Sequence, residues 1–199
     1  MKRILTFLTL ILIAILFLSC KQEFPLNKDL TKKSYSLLNQ DSIEVIFPEI
    51  IAGNITVIGF IFTNCPDICP MTTHNMYLTE MKLKETGIND VKFVALSFDP
   101  ERDKPSVLKK FAEFRGIDFN NWIMLTGEKI IITDLLRRFD VRAIPADTTY
   151  SDDGELSYSI MHTDRISLID NKGFLKKNYT GSTINMDELI NDIKYLRGK

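Results

Sequence analysis

The stretch Gly59-Phe60-Ile61-Phe62-Thr63-Asn64-Cys65-Pro66-Asp67-Ile68-Cys69-Pro70 decides how this chain is read. It closes an almost unbroken apolar run, Ile55 to Phe62, which is the pattern of a strand covered on both faces at the parallel centre of an α/β sheet. Beyond Pro70, residues Met71 to Thr86 contain neither proline nor glycine and set Met71, Leu78 and Met81 at helix-compatible intervals, with Gly87 as terminator. Cys65 and Cys69 therefore straddle the turn from the C-terminal edge of a buried strand into a helix.

That position points to chemistry. Unpaired N–H groups and the macrodipole at a helix N-terminus favour anions, so a thiol there is expected to ionise below the free-cysteine value of ~8.5. Residues four apart share a helix face, and two thiolates so placed can converge on one soft metal ion or close a disulfide. The spacing serves either use. A purely structural disulfide is the plain alternative, but a staple across so short a loop removes little chain entropy. The turn beyond a buried strand is also where α/β proteins place reactive groups.

Upstream, Met1-Lys2-Arg3 and the apolar stretch Ile4 to Leu18, followed by Ser19-Cys20, read as an export signal, short of the ~20 residues a spanning helix needs. Leu16-Phe17-Leu18-Ser19-Cys20 resembles a bacterial lipoprotein signal. On that reading residues 1–19 are the signal peptide, and Cys20 is lipidated and becomes the new N-terminus. Residues 20–33 form a flexible tether and residues 34–199 the domain. Cys65 and Cys69 are then the only thiols of an exported domain in an oxidising envelope compartment, where they form a disulfide unless a reductant or a metal holds them. A net charge of −1 with 26% charged residues argues against a phosphate-binding surface, so no nucleic-acid partner is expected.

The remaining pattern is α/β. Ser34 to Leu38 and Ile43 to Phe47 suggest an N-terminal β-hairpin. Val91 to Phe98 is a second buried strand, ending in the loop Asp99-Pro100-Glu101-Arg102-Asp103-Lys104-Pro105, and Val107, Leu108, Phe111 and Phe114 then follow helical spacing. Trp122 to Leu125 is a short strand, with Thr126 as cap of a helix carrying Ile131, Leu135, Leu136 and Phe139. Val141 to Gly154 has no clear period and reads as an irregular excursion. Leu156 to Met161, Arg165 to Asp170 and Phe174 to Tyr179 read as strands, and Asn185 with Glu188 as the cap of a last helix. This order fits a thioredoxin-like α/β fold, a central mostly parallel sheet with flanking helices.

Two thiolates seldom satisfy a metal alone, and the chain offers two histidines. His74 lies about 140° around the helix from Cys69 and is expected to point away. His162, at the Met161-His162-Thr163 junction, faces the cysteine turn in a thioredoxin-like fold. Cys65, Cys69 and His162 would make a two-sulfur, one-nitrogen site whose softness favours copper, with zinc second, over magnesium or calcium.

Cys65-Pro66-Asp67-Ile68-Cys69-Pro70, Ser97-Phe98-Asp99-Pro100-Glu101-Arg102-Asp103-Lys104-Pro105, Trp122-Ile123-Met124-Leu125-Thr126-Gly127 and His162-Thr163 before Leu168-Ile169-Asp170 together resemble the Sco/SenC family over about Ser34 to Arg197. The resemblance implies a membrane-tethered thioredoxin-like protein of the bacterial cell envelope that binds Cu(I) or Cu(II) through Cys65, Cys69 and His162, with Asp99 near the site. It implies a metallochaperone more than an enzyme, one that delivers copper to the CuA site of cytochrome c oxidase subunit II or reduces that subunit's cysteines. Another cuproprotein is the alternative acceptor. Other copper chaperones or a thioredoxin-like reductant are the further partners to expect. The rival reading is a metal-independent thiol-disulfide oxidoreductase, or a peroxide-reducing enzyme, using Cys65 and Cys69 as the redox pair.

Overall fold

The computed structural model describes residues 23–65, 68–150 and 156–198. The export signal and Cys20 lie outside the described residues. The strands are β1 (Lys28–Asp29), β2 (Tyr35–Asn39), β3 (Glu44–Phe47), β4 (Thr56–Ile61), β5 (Lys92–Ser97), β6 (Trp122–Thr126), β7 (Ala143–Tyr150), β8 (Leu156–His162), β9 (Ile166–Ile169) and β10 (Phe174–Tyr179). Among the described residues four α-helices are interspersed, α1 (Ile68–Glu85), α2 (Pro105–Phe114), α3 (Lys129–Arg138) and α4 (Met186–Arg197). None of these helices is long and apolar enough to cross a membrane.

Eight strands form one sheet in the order β1-β10-β9-β4-β5-β6-β2-β3. The expectation of a mostly parallel sheet holds at its centre, where helices α1 and α2 carry the chain across and β4, β5 and β6 run parallel. On both sides of that centre the pairing is antiparallel, with β9 on β4 and β2 on β6, and the outer β2–β3 and β9–β10 pairs are joined by tight turns that only antiparallel neighbours can use. Every residue of β4 is buried, as the unbroken apolar run requires.

Helix α1 packs on β4 with a face that apolar spacing did not identify. Cys69, Thr72, Thr73, Met76, Thr79, Glu80 and Leu83 are buried, whereas Met71 and Met81 are 46% and 38% exposed. Two of the threonines on this face are satisfied by the helix itself. Thr73 Oγ1 donates to the Cys69 carbonyl at 2.9 Å and Thr79 Oγ1 to that of Asn75 at 2.8 Å. Glu80 is held by the indole N–H of Trp122 at 2.7 Å and by Lys84 at 2.8 Å, so Trp122 is a packing residue, stacked on Phe93. Contact between α1 and β4 depends on Gly59, where a Cβ would lie 2.4 Å from Met76 Sδ.

Several expectations are corrected. Within the 20–33 tether, residues 24–30 have places in the fold: β1 pairs with β10, Leu30 is 1% exposed, and Phe24 and Leu26 pack against the core. Their lysines and polar spacing hid the apolar residues that anchor the edge. Thr126 ends β6, paired with Leu38, and the N-cap of α3 is Glu128, with Ile132 rather than Ile131 fully buried. In α2 the buried stripe is Leu108, Phe111 and Ala112, while Val107 and Phe114 face solvent. The supposed irregular excursion contains β7, which pairs antiparallel with β8 in a separate two-stranded sheet. Its mixed sequence follows from a hairpin that has no second sheet face to bury. The last helix is capped as read, with Asn185 accepting from the Glu188 N–H at 3.2 Å.

Candidate metal centre

Strands β4 and β5 end side by side, with Ile61 opposite Ser97, so the loops that follow them meet at one edge of the sheet. After β4 the chain turns at once, the Cys65 N–H donating to the Phe62 carbonyl at 3.3 Å, and α1 begins with Cys69 in its first turn. Cys69 is fully buried and Cys65 half-buried, and both are free thiols. Their sulfurs receive backbone donors, the Phe62 N–H on Cys69 Sγ at 3.4 Å and the Cys69 N–H on Cys65 Sγ at 3.5 Å.

His162 arrives from the other direction as the last residue of β8, opposite Ala143 at the base of the hairpin. Its Nε2 lies 3.6 Å from Cys69 Sγ, and the donor atoms of Cys65, Cys69 and His162 all fall within 4.8 Å of one another. The Nδ1 atom is 3.3 Å from the Thr163 carbonyl. An Nδ1–H donating there leaves the Nε2 lone pair directed to the thiols, the tautomer a metal ligand needs. Phe98 at 4.7 Å and Phe62 at 6.1 Å, centroid to centroid, pack the imidazole ring. His74 is exposed on α1 and takes no part, as expected.

Burial pushes the Cys69 thiol well above the ordinary range, more than the Phe62 N–H draws it down, with the nearby Cys65 and Asp103 adding to the rise. The expectation of a readily ionised thiol therefore fails for Cys69, because the desolvation of a side chain inside the core exceeds the pull of the Phe62 N–H. A soft cation removes that penalty by replacing the proton, which makes the pocket better suited to a metal than to a bare thiolate.

Asp99 follows Phe98 at the end of β5 and is buried, its Oδ1 accepting from the Tyr158 hydroxyl at 2.6 Å. Its Oδ2 has no hydrogen-bond partner among the described residues. Phe98 and Asp99 also line a cavity of about 430 Å³ with Ile132, Leu136, Ile144 and Tyr158. Two participants were not singled out from sequence. Asp103, fully buried, accepts from the Thr63 N–H at 3.0 Å and from the hydroxyls of Thr63 and Ser97, tying the cysteine turn to the loop after β5. Burial raises its carboxyl above the usual range, against the pull of those hydrogen bonds. Tyr158, on β8, carries the Arg102 guanidinium 3.5 Å over its ring and anchors the hairpin to the same loop. Only the position of Asp103 inside the quoted acidic loop could have suggested it.

A thioredoxin-type sheet, with two thiols at a strand-to-helix turn and an imidazole brought in by a hairpin, defines a class of thiol proteins with a preformed soft-metal pocket. The family model described as SCO1/SenC matches residues 25–197. Among solved structures, a SCO1/SenC family lipoprotein from Bacillus anthracis is 33% identical with a TM-score of 0.72, over 87% of this chain and 97% of that one. BsSco, described as a member of the Sco family of cytochrome c oxidase assembly proteins with a disulfide switch, is 32% identical with a TM-score of 0.70, over 88% and 98%. ScoI of Arabidopsis thaliana with copper bound is 27% identical with a TM-score of 0.70, over 84% and 98%. This chain belongs to the SCO1/SenC family.

Proposed function

We propose that this chain is a membrane-tethered copper-binding protein of the bacterial cell envelope. It takes copper through Cys65 Sγ, Cys69 Sγ and His162 Nε2 and acts in cytochrome c oxidase assembly, delivering copper to the CuA site of subunit II or reducing the cysteines of that site. The observation that carries this reading is the convergence, within 4.8 Å, of three donors from three separate segments of the chain. Two thiolates and one imidazole are a soft set suited to copper, and no carboxylate is needed to complete it. Copper bound to a relative of the same fold, and the oxidase-assembly role given to another, support the assignment. The lipoprotein description of a third supports lipidation at Cys20.

Copper is cargo on this reading. Buried Cys69 supplies the enclosed side of the pocket, while Cys65 and His162, both half-buried, supply the side an acceptor thiol can reach, the imidazole packed against Phe62 and Phe98. The same exposure lets Cys65 attack a partner's disulfide, with Cys69 resolving the mixed disulfide.

The test is an anaerobic copper titration of the reduced domain beginning at Lys21, beside His162→Ala. One tightly held copper per chain, with thiolate-to-Cu(II) charge-transfer bands lost in the variant, is the expected result. No specific copper binding, together with disulfide reduction that His162→Ala retains, would replace this reading with the metal-independent oxidoreductase.

A further inference from the structure

The hairpin that carries His162 belongs to a different sheet from β4, whose C-terminal turn leads into the two cysteines. Pairing of β8 with β7 therefore does not fix how far His162 stands from Cys69. The link lies in the residues just beyond it. Asp164 Oδ1 accepts from the Thr72 hydroxyl and from the Ser182 N–H, each at 3.1 Å. Its Oδ2 accepts from the same N–H at 3.0 Å and from the Ser182 hydroxyl at 2.6 Å. Thr72 is 1% exposed and sits one helical turn after Cys69, on the same buried face of α1. One carboxylate thus joins the turn of helix bearing Cys69, the residue two beyond His162 and the loop before α4.

The surroundings are built around this junction. A Cβ at Gly181 would lie 2.6 Å from Asp164 Oδ1 and 2.7 Å from Thr72 Oγ1, so the backbone closes directly over the pair. One turn further along α1, Asn75 Nδ2 donates to the carbonyls of Gly181 and Ser182 at 2.8 and 3.1 Å, holding the same loop to the helix.

We propose that Asp164 is a positioning residue for His162: by bonding Thr72 it sets the separation of the imidazole from Cys69 and so pre-forms the three-donor pocket. The inference rests on the copper reading for its consequence, since a metal whose ligands are held in place pays less ordering on binding. It does not rest on that reading for its geometry.

The test uses Thr72→Val, which keeps the shape of the side chain and leaves the Ser182 bonds to Asp164 intact, and Thr72→Ser, which keeps the hydroxyl. Copper affinity is expected to fall about tenfold in Thr72→Val, the order found for groups that orient metal ligands, with a displaced charge-transfer band. Thr72→Ser is expected to match the wild type. In a His162→Ala background Thr72→Val should add nothing, because both changes act through the same imidazole. In the metal-free protein the His162 ring-proton NMR shifts, set by Phe98 and Phe62, should move toward free-histidine values in Thr72→Val alone. Unchanged ring shifts in Thr72→Val, with only a lowered melting temperature, would make Asp164 a fold-stabilising residue and overturn the proposal. If the wild type binds no copper, the function reading fails, and the ring shifts still decide the role of Asp164.

Discussion

At Tyr158 a hydrogen bond and a titration can be read together. Burial first, and then the bond to the Asp99 carboxylate, pushes its phenol up to about 12 from the ordinary 10.0. The folded state therefore favours the neutral phenol. Its stabilising contribution is whole below the unfolded value and is lost as pH rises through the folded one. Unfolding by urea at pH values between 10.0 and about 12 should accordingly weaken more steeply in the wild type than in Tyr158→Phe. A phenolate absorbance titration should show Tyr158 moving down in Asp99→Asn. An unchanged titration in that variant would mean that the Asp99 contact does not govern Tyr158. Asp103 shows the limit of sequence at this scale. Its partner Thr63 is 40 residues away, so nothing local to the acidic loop announces that it holds the cysteine turn.

Helix α1 is the element on which the site depends, because it carries Cys69 and Thr72 on the face pressed against β4. Adding a methyl at Gly59 must displace the side chain of Met76, which has 0% exposure. Gly59→Ala is expected to cost about 1–3 kcal/mol in chemical denaturation, the usual penalty of overpacking a close contact. No loss of stability would show that Met76 has space to turn aside. The strand at the centre of this contact was legible from its unbroken apolar run. The buried face of the helix was not, because three of its seven buried residues are threonines, whose burial becomes tolerable only once the helix carbonyls accept from Thr73 and Thr79 and Asp164 accepts from Thr72.

Over the whole molecule, the two sheets should differ in stability. Strands β4 and β5 are covered on both faces, whereas the β7–β8 hairpin pairs only with itself and leaves Ile144 and Met161 at 55% and 67% exposure. Native-state hydrogen exchange should therefore release the hairpin amides well before those of β4 and β5. Protection of the hairpin equal to that of the core would contradict this division. The N-terminal edge gives a second measurement. A chain beginning at Ser34 lacks β1 and Leu30, and burying a leucine is worth about 1.5–3 kcal/mol, so it should be less stable to urea by about that amount than one beginning at Lys21. Equal stability would restore residues 24–30 to the role of a tether.

The sequence by itself determined the buried central strand, the placement of two thiols at its C-terminal turn, the α/β class and the cap of the last helix. Each of these is written in neighbouring residues, through apolar runs, turn residues and helix caps. Tertiary structure alone decided which face of α1 is buried, that the chain before Ser34 completes the sheet edge, and that Asp103 and Asp164 tie the site together. Those outcomes depend on groups 40 or more residues apart, such as Thr63 with Asp103 and Thr72 with Asp164. A buried hydrogen bond between such groups is specified only when the sheet has brought both ends to one place and excluded the water that would otherwise satisfy them.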